Sequence, residues 1–198
     1  MTCTSPIWCL AVGESDTGLA YKPSNYTFLT LAERWNGSTW TILKTPRRRP
    51  PAESQFNGVA CVSETSCIAV GGSSNFSSVT PDRALPERWN GTKWITEVAP
   101  IDTIFSSVSC PSYGICVGVG GPDTQFNLTF ATKLTGTKWT ITPTPTVAPY
   151  PALLGVSCVS PTTCISVGFS NNSQATDREP LAEKWNGAVW SIERAPVP

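Results

Sequence analysis

Short apolar runs alternate along the chain with clusters of Ser, Thr, Pro and Gly. The stretch Gly155-Val156-Ser157-Cys158-Val159-Ser160-Pro161-Thr162-Thr163-Cys164-Ile165-Ser166-Val167-Gly168 is a β run, a polar turn and a second β run ending at glycine. That pattern predicts a hairpin. The same arrangement opens with Gly58-Val59-Ala60-Cys61 and closes with Cys67-Ile68-Ala69-Val70-Gly71-Gly72. A second hairpin signal follows a variable stretch. It reads Leu31-Ala32-Glu33-Arg34-Trp35-Asn36-Gly37-Ser38-Thr39-Trp40, and returns as 85–94 and 181–190. Asn-Gly between β runs predicts a tight turn with positive φ at both turn residues.

Each unit therefore holds two hairpins, or four strands. First cysteines fall at 3, 61, 110 and 158, so the unit repeats at steps of 58, 49 and 48 residues. The third copy departs from the pattern. Ala131-Thr132-Lys133-Leu134-Thr135-Gly136-Thr137-Lys138-Trp139 lacks the glutamate, the first tryptophan and the turn asparagine, but keeps the basic residue, the glycine and the second tryptophan. One four-stranded sheet cannot bury both faces alone, whereas copies stacked about an axis can. The expected fold is all-β: a single β-propeller domain over 1–198 of four four-stranded blades, about 50 residues each. The blades fall near 1–50, 51–103, 104–150 and 151–198. A closed ring is favoured because it leaves no exposed sheet edge, which makes the chain a monomer, with a paired eight-blade dimer next.

Eight cysteines form four C-x5-C pairs: Cys3 and Cys9, Cys61 and Cys67, Cys110 and Cys116, Cys158 and Cys164. Each pair flanks a hairpin turn on facing strands, where a cross-strand bridge is geometrically reasonable. Even number and regular spacing favour disulfides and an oxidising compartment. A zinc reading would need four thiolates converging from two repeats. The start, Met1-Thr2-Cys3-Thr4-Ser5-Pro6, is not a signal peptide. Export then implies that a leader was removed, or that this is a segment of a longer exported chain. The expected location is secreted or cell-surface.

Histidine is absent. That removes the imidazole base of Ser-His and Cys-His catalysis and the imidazole ligand of zinc, copper and haem. No metal and no cofactor is expected. Only 14% of residues are charged and the formal net charge is zero, which favours neither nucleic acid nor an anionic membrane as partner. No apolar run approaches the roughly 20 residues of a membrane helix.

The pattern resembles kelch-like propeller repeats. These carry a double glycine after the second strand, here Gly71-Gly72 and Gly120-Gly121. They continue with an aromatic, a turn residue and a later tryptophan, here Trp35, Asn36, Trp40 and Trp89, Asn90, Trp94. The closing prolines stand as Pro46, Pro100, Pro145 and Pro196. With a cysteine pair in each repeat, the array looks like those of exported bacterial proteins, especially actinobacterial ones. The resemblance implies a fold and says little of function, because propellers serve as lectins, scaffolds and enzymes. In that fold the connections between strands two and three, and from strand four to the next blade, share one face. Here these are the variable segments: 14–30, 72–84, 121–130 and 169–180, then 44–57, 97–106 and 142–154.

Candidate ligand-binding residues follow. Trp35, Trp89 and Trp185 could offer ring faces to a sugar, although a tryptophan at one place in every blade more often packs between sheets. Trp40, Trp94, Trp139 and Trp190 are expected to be structural. Arg34, Arg88 and Lys184 each follow a glutamate (Glu33, Glu87, Glu183), so acid and base point to opposite faces of a strand. They could clamp a sugar or carboxylate, or form inter-blade ion pairs. Asp82-Arg83 and Asp177-Arg178 recur in one loop class, with Asp16 and Asp123 in related positions. A glycosidase would want two carboxylates at a set separation, and a sialidase-like site several converging arginines. Arg47-Arg48-Arg49-Pro50-Pro51 is the one charge run and reads as a solvated linker.

The expected function is an exported, non-catalytic binding or surface module. Its partner would be a glycan, in lectin-like fashion, or a cell-surface protein, held on the variable loop face. The alternatives are a carbohydrate-active hydrolase and a purely architectural array.

Overall fold

Among the described residues, sixteen strands follow one another and group four by four into antiparallel meanders. The first sheet is β1 (Thr2–Ser5), β2 (Trp8–Asp16), β3 (Phe28–Trp35) and β4 (Trp40–Leu43). The second is β5 (Glu53–Ser63), β6 (Ser66–Ser74), β7 (Arg83–Trp89) and β8 (Trp94–Thr96). The third is β9 (Phe105–Ser112), β10 (Ile115–Gly120), β11 (Phe130–Thr135) and β12 (Lys138–Thr142). The fourth is β13 (Ala152–Ser160), β14 (Thr163–Asn171), β15 (Arg178–Trp185) and β16 (Trp190–Glu193). The computed structural model describes residues 1–16, 28–46, 53–74, 83–100, 104–121, 129–145, 150–171 and 177–193.

One rung runs across all four strands of a sheet. In the second sheet Cys61 faces Cys67, Cys67 faces Trp89, and Trp89 faces Trp94. The fourth repeats it with Cys158, Cys164, Trp185 and Trp190. The first does so with Cys3, Cys9, Trp35 and Trp40. In the third, Leu134 takes the first tryptophan's place between Cys116 and Trp139. Directly opposed residues share a face of a sheet, so the disulfide and the two rings form one strip. All four bridges lie within their own repeat: Cys3–Cys9, Cys61–Cys67, Cys110–Cys116 and Cys158–Cys164.

The Asn-Gly turns differ from the two-residue form expected. Trp35 pairs with Trp40, so Asn36 to Thr39 form a four-residue connection. Only the glycines take positive φ: Gly37 at 93°, Gly91 at 93° and Gly187 at 98°. The asparagine serves through its side chain. Asn36 Oδ1 accepts from the backbone N–H of Ser38 and Thr39, and Asn90 and Asn186 do the same in their sheets. This is local side-chain-to-backbone turn chemistry. The third copy, without the asparagine, closes a shorter turn at Gly136, whose φ is 65°.

Glycines near the end of the second strand have a steric role. A Cβ on Gly71 would strike the carbonyl oxygen of Gln55, and one on Gly168 that of Ala152. Both carbonyls lie beside a register shift in the inner strand. Such a bulge swings backbone inward, and only glycine leaves the room.

The sheets stack in chain order. β5 packs across β2 and β3, β9 across β5 and β6, and β13 across β9 and β10. Each joint has its own core. Trp8, Leu10 and Ala32 meet Phe56, Leu85 and Trp94. Ile68, Val70 and Ala84 meet Phe105, Leu134 and Trp139. Val117, Val119 and Ala131 meet Leu153, Leu181 and Trp190. A propeller-like stack of four blades is what the repeat predicts. Among the described residues, the three cores join consecutive sheets. Ile165 and Val167 at one end, and Trp40 at the other, remain in water. The repeat sets which faces match.

Candidate functional site

Two of the second tryptophans, Trp139 and Trp190, rivet neighbouring sheets. Trp139 Nε1 donates to Glu97 Oε2 at 2.7 Å, and Arg88 Nε donates to Glu97 Oε1 at 2.6 Å. Arg88 also donates to the carbonyl of Gly136 in the third sheet. One carboxylate thus gathers two donors at the second joint. At the third joint, Trp190 Nε1 donates to Thr142 Oγ1 at 3.2 Å. Glu97 and Thr142 each stand three residues after a second tryptophan. At the first joint that place is held by Leu43, and Trp94 Nε1 is buried without a hydrogen-bond partner among the described residues.

The first tryptophans serve their own sheets. Trp89 Nε1 donates to the carbonyl of Glu64 at 3.1 Å, and Trp185 Nε1 to that of Pro161 at 3.3 Å, each in the preceding turn. Both are buried and lie 5.6 Å, centroid to centroid, from the second tryptophan of their sheet. Trp35 keeps the same 5.6 Å spacing to Trp40 but is only half-buried, and no sheet among the described residues covers it. Lys184 approaches Glu193 at 4.0 Å across an exposed edge, in the place of the Arg88–Glu97 pair. Arg34 occupies the same register on β3, opposite Leu10 and Thr41.

The glutamates before those bases turn inward, as strand alternation requires. Glu87 and Glu183 are fully buried. Burial raises the Glu183 carboxyl to about 7, and the hydroxyl of Thr129, just before β11, offsets part of that rise. Thr132 replaces the glutamate in the third sheet and bonds the carbonyl of Gly118. Glu53 is also raised, first by burial and then by the nearby charge of Glu14, with a backbone hydrogen bond from Phe28 opposing the shift. The cavity beside Glu53 is about 60 Å³, far smaller than a ligand pocket. The two raised carboxyls lie in different joints and do not form a hydrolytic pair.

A different picture holds at the loop end of the third joint. Ser106, Gly121, Tyr150, Ala152, Phe169, Asn171 and Arg178 line a groove of about 370 Å³. Arg178 begins β15, opposite Asn171, and its guanidinium lies 4.1 Å from the centroid of Phe169. Tyr150 is exposed and takes a φ of 55°, a left-handed conformation rare outside glycine. Of the loop residues singled out from the sequence, Arg178 lines this groove. Asp177 is exposed beside it, and Arg83 opens β7 at the equivalent place two blades earlier. Asp16 ends β2. Asp82, Asp123 and Arg47-Arg48-Arg49 lie outside the described residues.

Glu97, Thr142, Phe169 and Tyr150 escaped the sequence reading. The first two had a signal, a fixed offset from the second tryptophan, obscured because the residue type changes from joint to joint. Tyr150 and Phe169 had none, since they meet only through two adjoining blades.

No family model matches the chain, and no curated protein matches it. What stands is a repeated all-β module of four four-stranded sheets with one disulfide each. Among the described residues no group of three His, Cys, Asp or Glu side chains could hold a metal ion, and no helix is long and apolar enough to cross a membrane.

Proposed function

We propose that this chain is an exported binding module of kelch-like propeller architecture that takes a glycan at the loop end of the third joint. The observation that carries the reading is Arg178 stacked on Phe169 in the groove shared with Tyr150, Asn171 and Ser106. A guanidinium lying on a ring keeps its N–H edge free to bond oxygen. Tyr150 adds an exposed ring face, and Asn171 and Ser106 add an amide and a hydroxyl. Sugars present hydroxyl groups around an apolar ring face, and this set matches both. Four disulfides suit an oxidising, extracytoplasmic location. The inward-facing tryptophans and the buried glutamates are occupied in holding blades together, which favours binding at the loops over catalysis in the joints.

A glycan array on the purified protein, followed by calorimetry with the best hit, tests the reading. Arg178→Ala and Tyr150→Ala should each weaken binding by tenfold or more without lowering the melting temperature. Binding that survives both substitutions, or an array with no hit, would sink it.

A further inference from the structure

We propose that the two end faces of the stack bind each other between copies: the Trp40 face of β1–β4 on one chain docks on the Ile165–Val167 face of β13–β16 of a second. The inference is independent of any glycan.

Every internal joint has the same two halves. The back half carries two apolar residues of the second strand: Leu10 and Val12, Ile68 and Val70, then Val117 and Val119. The front half carries the disulfide and tryptophan strip of the next sheet. Ile68, Val70, Val117 and Val119 are 3% exposed or less, while Ile165 and Val167, at the same places in the fourth sheet, are 41% and 51% exposed. On the front half Trp94, Trp139 and Trp190 are 5%, 4% and 6% exposed, while Trp40 is 44% exposed. So among the described residues each copy presents one exposed front half and one exposed back half.

The polar rivet is present too. Glu97 takes the indole N–H of the next sheet's tryptophan while Arg88 holds it. Glu193 stands at the corresponding place after Trp190, with Lys184 beside it at 4.0 Å, and both are half exposed. An acceptor and its supporting cation thus wait at the back of the fourth sheet. The tryptophan that would satisfy them, Trp40, waits at the front of the first. Apolar area, ring position and hydrogen-bond pairing all agree with the joints already made inside the chain.

The contact is heterologous, front to back, so each copy has both a donor and an acceptor face. Two copies closing on each other, or a longer series, use the same joint. Self-association in sedimentation should be concentration-dependent. Trp40→Arg and Ile165→Glu should each raise the dissociation constant tenfold or more. Both residues are exposed, so the folded monomer should survive, with its four disulfides and circular dichroism unchanged. Glu193→Lys, a milder change at the rivet, should weaken association less.

Mixing decides the geometry. Trp40→Arg keeps its back face and Ile165→Glu keeps its front face, so a mixture of the two should form a dimer that neither forms alone. A chain that stays at 21.2 kDa at all concentrations overturns the proposal. So does a mixture that stays monomeric, or an Ile165→Glu variant that associates as tightly as the parent.

Discussion

Trp139 in the third sheet donates its indole N–H to Glu97 of the second, 2.7 Å away, while Arg88 grips the other carboxylate oxygen. Removing the carboxylate leaves a buried N–H and a half-buried guanidinium without their acceptor. Glu97→Ala should therefore cost about 2–4 kcal/mol in urea unfolding. Glu97→Gln, which keeps an acceptor oxygen, should cost less than half of that. Equal losses would show that packing, not the charge-assisted bond, carries the contact.

Among the described residues the first joint lacks this device: Leu43 stands where an acceptor belongs, and Trp94 Nε1 finds no partner. Arg34 already holds the place that Arg88 has in the second sheet. Leu43→Glu should complete the trio. The gain from a charged acceptor, about 1.5–3 kcal/mol, exceeds what a partly buried leucine loses. The expected result is a melting temperature higher by a few degrees. A lower one would mean that Leu43 is needed in the apolar core it borders.

Each bridge closes a hairpin loop with a sequence separation of 6. In the chain-entropy picture that is worth about 2 kcal/mol. Replacing Cys61 and Cys67 together by Ala should cost at least this, since Cys67 is also buried in the first joint. Peptide mapping without reduction should recover four links, each within one repeat. A link between repeats would contradict the register.

Glu183 gives the fold a pH dependence of unusual sign for a carboxyl. Its pKa is raised to about 7 by burial, above the unfolded value of 4.5. Between these values the folded state holds more protons than the unfolded one. Stability from this group is therefore full below about pH 4.5, falls as pH rises, and is gone above about 7. The size is on the order of 1–3 kcal/mol. Glu183→Gln should flatten this slope and raise stability at pH 8. A parent protein no less stable at pH 8 than at pH 5 would refute the assignment.

Much of the architecture was legible because its causes are local. A cysteine either side of a Ser/Thr/Pro turn, and a glycine after an asparagine, act within a hairpin. Asn36 binds the backbone two and three residues on, so no distant contact is needed to read it. The groove at Tyr150, Phe169 and Arg178 was not legible beyond Arg178, because its walls come from two blades.

The sequence by itself determined the four sheets, the disulfide in each, and the placing of a glutamate and the base after it on opposite faces of a strand. These follow from strand alternation and turn chemistry, which act over a few residues. Tertiary structure alone decided what each tryptophan does. Trp40 and Trp94 follow the same Trp-Asn-Gly turn and sit at the same register, yet one is exposed and the other buried. Their local sequence is nearly the same. The difference is whether another sheet stands in front, and burial is a property of the neighbour as much as of the residue.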